Sequence, residues 1–160
     1  MIDLPPVARA LEELHMPYRL FVHVGPVHSL EQAARERNQL PDQVIRSIVF
    51  RVGQDEFLMA LMAGDRQISW PALRRYLGQS RLTLATEDEV RRVTGYERGA
   101  VAPFGLPQSL RILVDESVFV HEEISLGSGV RGTTVIMTSI DLRRALGQVE
   151  IANLSGEASP

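Results

Sequence analysis

Hydrophobic positions recur with two different periods along this chain, and the changes of period mark its elements. After Pro5 and Pro6, Val7, Leu11 and Leu14 recur at helical spacing, which predicts a short amphipathic helix ending near His15 and Pro17. Tyr18 to Val24 alternates instead. Tyr18, Leu20, Val22 and Val24 share one face, and Arg19, Phe21 and His23 the other, the pattern of a strand. Ser29 with Gln32 has the spacing of a capping box and opens a helix through Arg37. Pro41-Asp42-Gln43 reads as a turn or a single helical turn, followed by a strand from Ile45 to Val52. Gly53 to Glu56 then turns the chain into Phe57 to Ala63. That run is apolar without alternation, as expected of a strand buried on both faces.

In the second half, Ser69 caps a helix with Pro71 in its first turn, which stops at Gly78. Leu82 to Ala85 is a short strand, and Thr86 with Glu89 is a second capping box, for a helix ending at Gly95. Arg111 to Val114, His121 to Leu126 and Thr133 to Met137 are further strands. A helix over Ser139 to Leu146 and a strand near Val149 to Ala152 close the pattern. Short strands interleaved with short helices indicate a mixed α/β domain. One domain over 1–154 is expected, with Ser155 to Pro160 as a loose tail.

Composition narrows the chemistry. The 160 residues are 44% hydrophobic and 23% charged with no cysteine, which fits a soluble globular domain and excludes disulfides and thiolate metal sites. The four histidines, His15, His23, His28 and His121, lie far apart with no pair at ligand spacing, so neither a metal nor any other cofactor is expected. All 17 basic residues are arginine. Lysine chemistry is therefore excluded, while arginine grips carboxylates and phosphates with a planar fork. A net charge of −3 argues against a protein that tracks a long nucleic-acid backbone, but is compatible with contact at one RNA end. DNA is not an expected partner. No stretch approaches a membrane span and no basic segment precedes an apolar run at the N-terminus, so a cytoplasmic location is expected.

Two glycine-rich loops stand out. Gly95 to Gly105 reads GYERGAVAPFG, and Gly127 to Gly132 reads GSGVRG. Glycines there can take positive φ, and Pro103 removes one donor, so the remaining N–H groups of the first loop can converge on a bound group. The plainer alternative is that both loops only connect elements. The segment GAVAP (Gly99 to Pro103), the strand RSIVFR (Arg46 to Arg51) and GSGVRG, in this order and at these separations, resemble the YbaK-like aminoacyl-tRNA deacylases, relatives of the editing domain inserted in bacterial prolyl-tRNA synthetases. The resemblance covers roughly Val7 to Leu154.

It implies a curved, barrel-like mixed sheet with helices outside. It also implies a freestanding enzyme that hydrolyses the ester of a mischarged tRNA, of which tRNA(Pro) is the first to consider. The partners implied are the tRNA acceptor end and an aminoacyl-tRNA synthetase. A binding module that has lost the catalytic step is the alternative. Within this resemblance Gly99, Ala100, Val101 and Gly129 offer backbone donors, and Pro103 stiffens the loop. Tyr96 and Phe104 stack on the terminal adenine or pack in the core. Gly127 matches the second loop, and Arg131 is placed to hold a phosphate or carboxyl. Arg46 stands where most of the family carries an essential lysine, and as a fixed charge it cannot shed a proton. His23 and Thr134 stand where the Cys-tRNA(Pro) deacylase branch has tyrosine and aspartate. Ser128 lines the second loop in this scheme, but LGSG is not a nucleophile elbow, and an esterase built on Ser128, His121 and Asp115 ranks far lower.

Overall fold

The computed structural model describes residues 3–156, so residues 157–160 of the expected tail lie outside it. Ser155 and Gly156 do not trail away: both donate to Asn153 Oδ1, from Ser155 Oγ and from the Gly156 amide.

The elements run α1 (Pro6–Glu13), β1 (Arg19–Val22), α2 (Leu30–Glu36), a 3-10 turn (Pro41–Gln43), β2 (Ile45–Val52), β3 (Glu56–Ala63), α3 (Trp70–Leu77), β4 (Leu82–Leu84) and α4 (Glu87–Thr94). They continue with β5 (Arg111–Asp115), a second 3-10 turn (Glu116–Phe119), β6 (Glu123–Gly127), β7 (Thr133–Thr138), α5 (Ser139–Leu146) and β8 (Glu150–Ala152). The predicted helix starts hold for chemical reasons. Ser29, Ser69, Thr86 and Thr138 each accept a backbone N–H of the first turn, contacts that contribute about 1 kcal/mol each. At Thr86 the box is reciprocal. At Ser29 it is not, because Gln32 Oε1 accepts from the His28 amide instead.

The strands form two sheets of one mixed α/β domain, the expected fold class. A five-stranded mixed sheet has the order β4-β2-β3-β5-β8, and a three-stranded antiparallel sheet the order β1-β7-β6. A single parallel bridge, Val44 to Ser125, links them. The main core lies between the sheets. Val49, Met59 and Leu61 of one sheet meet Leu126, Val135 and Met137 of the other, with Val7 and Leu11 of α1 in the same cluster. The opposite face of the large sheet packs Phe50, Leu58, Ala60 and Met62 against Leu73 of α3 and Leu154. β3 is therefore apolar on both faces because both are covered, as its unbroken hydrophobic run predicts.

Several boundaries differ from expectation by one or two residues, β6 beginning at Glu123 rather than His121. β1 ends at Val22 because only Arg19 to Val22 pair with β7, which leaves Val24 fully exposed and turns His23 inward. The turn after β5 is set by buried Asp115. Its carboxylate accepts from the Ser117 amide and hydroxyl and, at 2.7 Å, from the Leu154 amide. Asp115 is thus a fastener of the chain end, which removes it from any catalytic arrangement.

Candidate functional site

β4 pairs only with the Phe50–Val52 end of β2, and β6 packs beside β2 without pairing along it, the bridge from Ser125 going to Val44 just before β2 begins. Between these contacts the edge of β2 is open, and a cleft of about 690 Å3 lies along it. Five residues expected from the sequence line this cleft: Arg46, Gly99, Val101, Gly127 and Thr134. β2 supplies Arg46, the loop after α4 supplies Gly99 and Val101, and Gly127 and Thr134 are register partners in β6 and β7.

The first glycine loop is held from behind by the second. The Ala100 amide donates to Glu97 O at 3.0 Å, and the Gly129 amide to Ala100 O at 3.1 Å. Arg131 Nε donates to Arg98 O at 3.0 Å. Gly127 is a close-approach glycine, since a Cβ there would stand 2.7 Å from Val101 O. These bonds correct part of the expected donor set. Ala100 and Gly129 have engaged amides, and neither residue lines the cleft, so they are buttresses. The amides of Gly99 and Val101 have no protein acceptor among the described residues. With Gly99 at φ +90°, two unengaged donors two residues apart border the cleft.

The aromatic pair is also corrected. Tyr96 and Phe104 are both buried in the main core, and Tyr96 donates its hydroxyl to Phe104 O at 2.5 Å. Burial raises the Tyr96 phenol above its usual value. Neither ring is available for stacking. Trp70 at the start of α3 and Phe50 of β2, packed edge to face, are the aromatic residues that line the cleft. Pro103 is buried and lies outside the cleft. Arg131 is exposed and ties the two loops together instead of lining the cleft. Ser128 is buried, its hydroxyl bonded to Val130 O and Thr133 O while accepting from the Val130 amide. It is a staple of its own loop and is closed to nucleophilic attack.

Arg46 lies in the cleft but is turned onto the segment after β3, where Nε donates to Gly64 O at 2.6 Å and Nη2 to Arg66 O. Burial lowers its guanidinium from the usual value, with Asp65 opposing. Beside it, Ser47 Oγ is buried without a hydrogen-bond partner among the described residues. Such an atom is costly unless a bound group satisfies it.

Two further cleft residues escape sequence reasoning. Arg37 and Trp70 sit among polar or amphipathic positions that read as ordinary helix surface. His23, expected as pocket wall or solvated side chain, is neither: it is buried behind Arg37, between Glu36 and the Arg37 guanidinium. No group of three or more metal-ligating side chains comes together among the described residues, and no helix is long and apolar enough to cross a membrane.

Comparison with known proteins bears on the family and the fold. The family model described as an aminoacyl-tRNA editing domain matches residues 24–145. The proline–tRNA ligase of Brachyspira hyodysenteriae is 32% identical over 133 residues, which are 83% of this chain and 22% of the ligase. That of Aquifex aeolicus is 30% identical over 98 residues, 61% of this chain and 17% of the ligase. The chain thus spans about a fifth of the length of these relatives. Among solved structures, a proposed trans-editing enzyme for prolyl-tRNA synthetase superposes with TM-score 0.83 at 26% identity, covering 93% of this chain and 94% of the other. A hypothetical protein superposes with TM-score 0.84 at 20% identity, covering 93% and 98%, which shows the shared fold.

Proposed function

Because the chain belongs to the family of aminoacyl-tRNA editing domains, we propose that it is a trans-editing deacylase that hydrolyses the ester between a wrongly attached amino acid and the terminal ribose of a tRNA, with tRNA(Pro) as the first candidate. The observation that carries this reading is the pair of unengaged amides, Gly99 and Val101, which border the cleft on either side of the engaged Ala100 amide. An aminoacyl ester is already activated. The protein need only orient a water and stabilise the negative charge that forms on the carbonyl oxygen, and preorganised N–H donors do that at no reorganisation cost. Water adds to the carbonyl carbon as it gives up a proton, the charge moves onto the oxygen facing Gly99 and Val101, and collapse breaks the ester C–O bond, the proton passing to the ribose oxygen, which leaves as the hydroxyl. Trp70 and Phe50 offer the bound acyl group an apolar wall.

The experiment is the release of amino acid from Cys-, Ala- and Ser-charged tRNA(Pro) by the purified protein, beside correctly charged tRNA. Faster release from at least one mischarged species supports editing. A second reading, binding without turnover, draws on the engagement of Arg46 with Gly64 and Arg66, which directs it away from an acyl group. Tight binding of mischarged tRNA with no release above background supports that reading instead.

A further inference from the structure

The cleft contains an arginine whose support is more elaborate than that of Arg46. Arg37 follows α2, half-buried, and lines the cleft together with Gly127 and Thr134. Its Nε donates to His23 Nε2 at 3.2 Å and its Nη1 to Ser125 Oγ at 2.8 Å. A guanidinium only donates, so His23 Nε2 is the acceptor, and the ring proton sits on Nδ1, facing Glu36 Oε1 at 3.1 Å. Ser125 in turn donates to Gln39 Oε1 at 2.8 Å, and Gln39 Nε2 to Glu123 Oε1 at 3.0 Å. Each bond fixes the polarity of the next, and the guanidinium at the centre has one orientation.

Both groups that hold Arg37 are neutral, and among the described residues it forms no ion pair. Of the nearby carboxylates, Glu36 is bonded to His23 and Gln32, and Glu123 to Gln39 and Arg19. Burial brings the Arg37 guanidinium down to about 10, with Glu36 opposing. A desolvated cation with spare donors and no carboxylate in direct contact is unfavourable unless an anion completes it. The other cleft arginines differ: Arg46 is turned onto two carbonyls, and Arg98 is exposed and paired with Glu87.

We propose that Arg37 is the anion-binding residue of the cleft, receiving phosphate or carboxylate oxygens of the ligand, with His23 and Ser125 as its positioning residues. The identity of the ligand rests on the editing function proposed above. In an aminoacyl-tRNA the α-carboxyl is an uncharged ester. The anion is then either the phosphate 5′ of the terminal adenosine or a carboxylate on the acyl side chain.

The test titrates the full chain with inorganic phosphate, adenosine, adenosine 5′-monophosphate, and the aspartyl and asparaginyl amides of 3′-amino-3′-deoxyadenosine. It follows affinity together with the Arg37 Nε–H resonance of the wild type, assigned by its loss in Arg37→Gln. Phosphate is expected to shift that resonance. The monophosphate should bind about tenfold tighter than adenosine, or the aspartyl amide about tenfold tighter than the asparaginyl, the size of one charge-assisted hydrogen bond. Which ratio departs from unity identifies the source of the anion. That ratio should vanish in Arg37→Gln, persist in part in Arg37→Lys, and fall in His23→Phe, which removes the acceptor but leaves Arg37. Adenosine compounds that fail to bind, while phosphate still shifts Arg37, would refute the editing function and leave the anion site standing. Adenosine binding with both ratios at unity, or a ratio that survives Arg37→Gln, overturns the role of Arg37. Silence of every probe overturns both.

Discussion

The amide of Gly129 donates to the carbonyl of Ala100 at 3.1 Å, and this bond sets the second glycine loop behind the first. Gly129 has φ +91°, and a Cβ there would stand 2.8 Å from the Tyr96 ring. Gly99 has φ +90° but open surroundings, its added Cβ meeting only Arg131 Nε, at 3.9 Å. Gly129→Ala should therefore destabilise the fold by about 2–4 kcal/mol, combining left-handed strain with overpacking. Gly99→Val should lower the unfolding midpoint less and the deacylation rate more, by about a hundredfold, as expected when an oxyanion donor is displaced. Thermal unfolding and single-turnover rates on the same two variants check this. An unimpaired rate in Gly99→Val makes the loop a connector.

Arg46→Ala should lose stability as well as activity, because Gly64 O and Arg66 O lose their donor, a cost of about 1–3 kcal/mol. Arg46→Lys should recover part of both. Burial lowers this guanidinium, yet arginine starts so far above neutrality that it stays charged there. The pH–rate profile should thus show no neutral ionisation that disappears in the lysine variant. A full wild-type rate in Arg46→Ala contradicts any role for this residue in the reaction.

Much of the fold was legible because its signals are local. The caps at Ser69 and Thr86 act within three residues, and the doubly apolar β3 reports its own burial. The loop residues Gly99, Val101 and Gly127 were legible through motif order. What sequence could not give was partnership over distance. Arg37 bonds to residues 14 and 88 positions away, so its helix gives no hint that it faces a cleft. Tyr96 and Phe104 have the composition of a stacking pair, but the path of the loop carries both into the core. The division into two sheets was likewise hidden, since it depends on which strands pair with which across long stretches of chain.

Ser128→Ala removes a hydroxyl that makes three bonds inside its loop. It should lower the unfolding midpoint, by about 1–3 kcal/mol in stability, while the rate of the folded fraction stays near wild type. Complete loss of turnover in a fully folded Ser128→Ala protein would revive a serine mechanism.

Hydrogen bonds from His23 and Gln32 hold the Glu36 carboxyl below its usual value, against a smaller desolvation effect. A depressed folded value means that this stabilisation is present above the unfolded carboxylate range and is lost as pH falls through the folded value. Glu36→Gln should accordingly flatten the acid limb of a plot of unfolding midpoint against pH and leave its neutral slope unchanged. An identical acid limb in wild type and variant rejects the bond network around His23.

The most direct measurement is the rate at which the purified protein releases amino acid from Cys-, Ala- and Ser-tRNA(Pro), with Pro-tRNA(Pro) and the Gly99→Val variant run alongside. The account predicts release well above spontaneous hydrolysis for at least one mischarged species, sparing of Pro-tRNA(Pro), and loss in the variant. Release no faster than the uncatalysed background for every mischarged tRNA would contradict it.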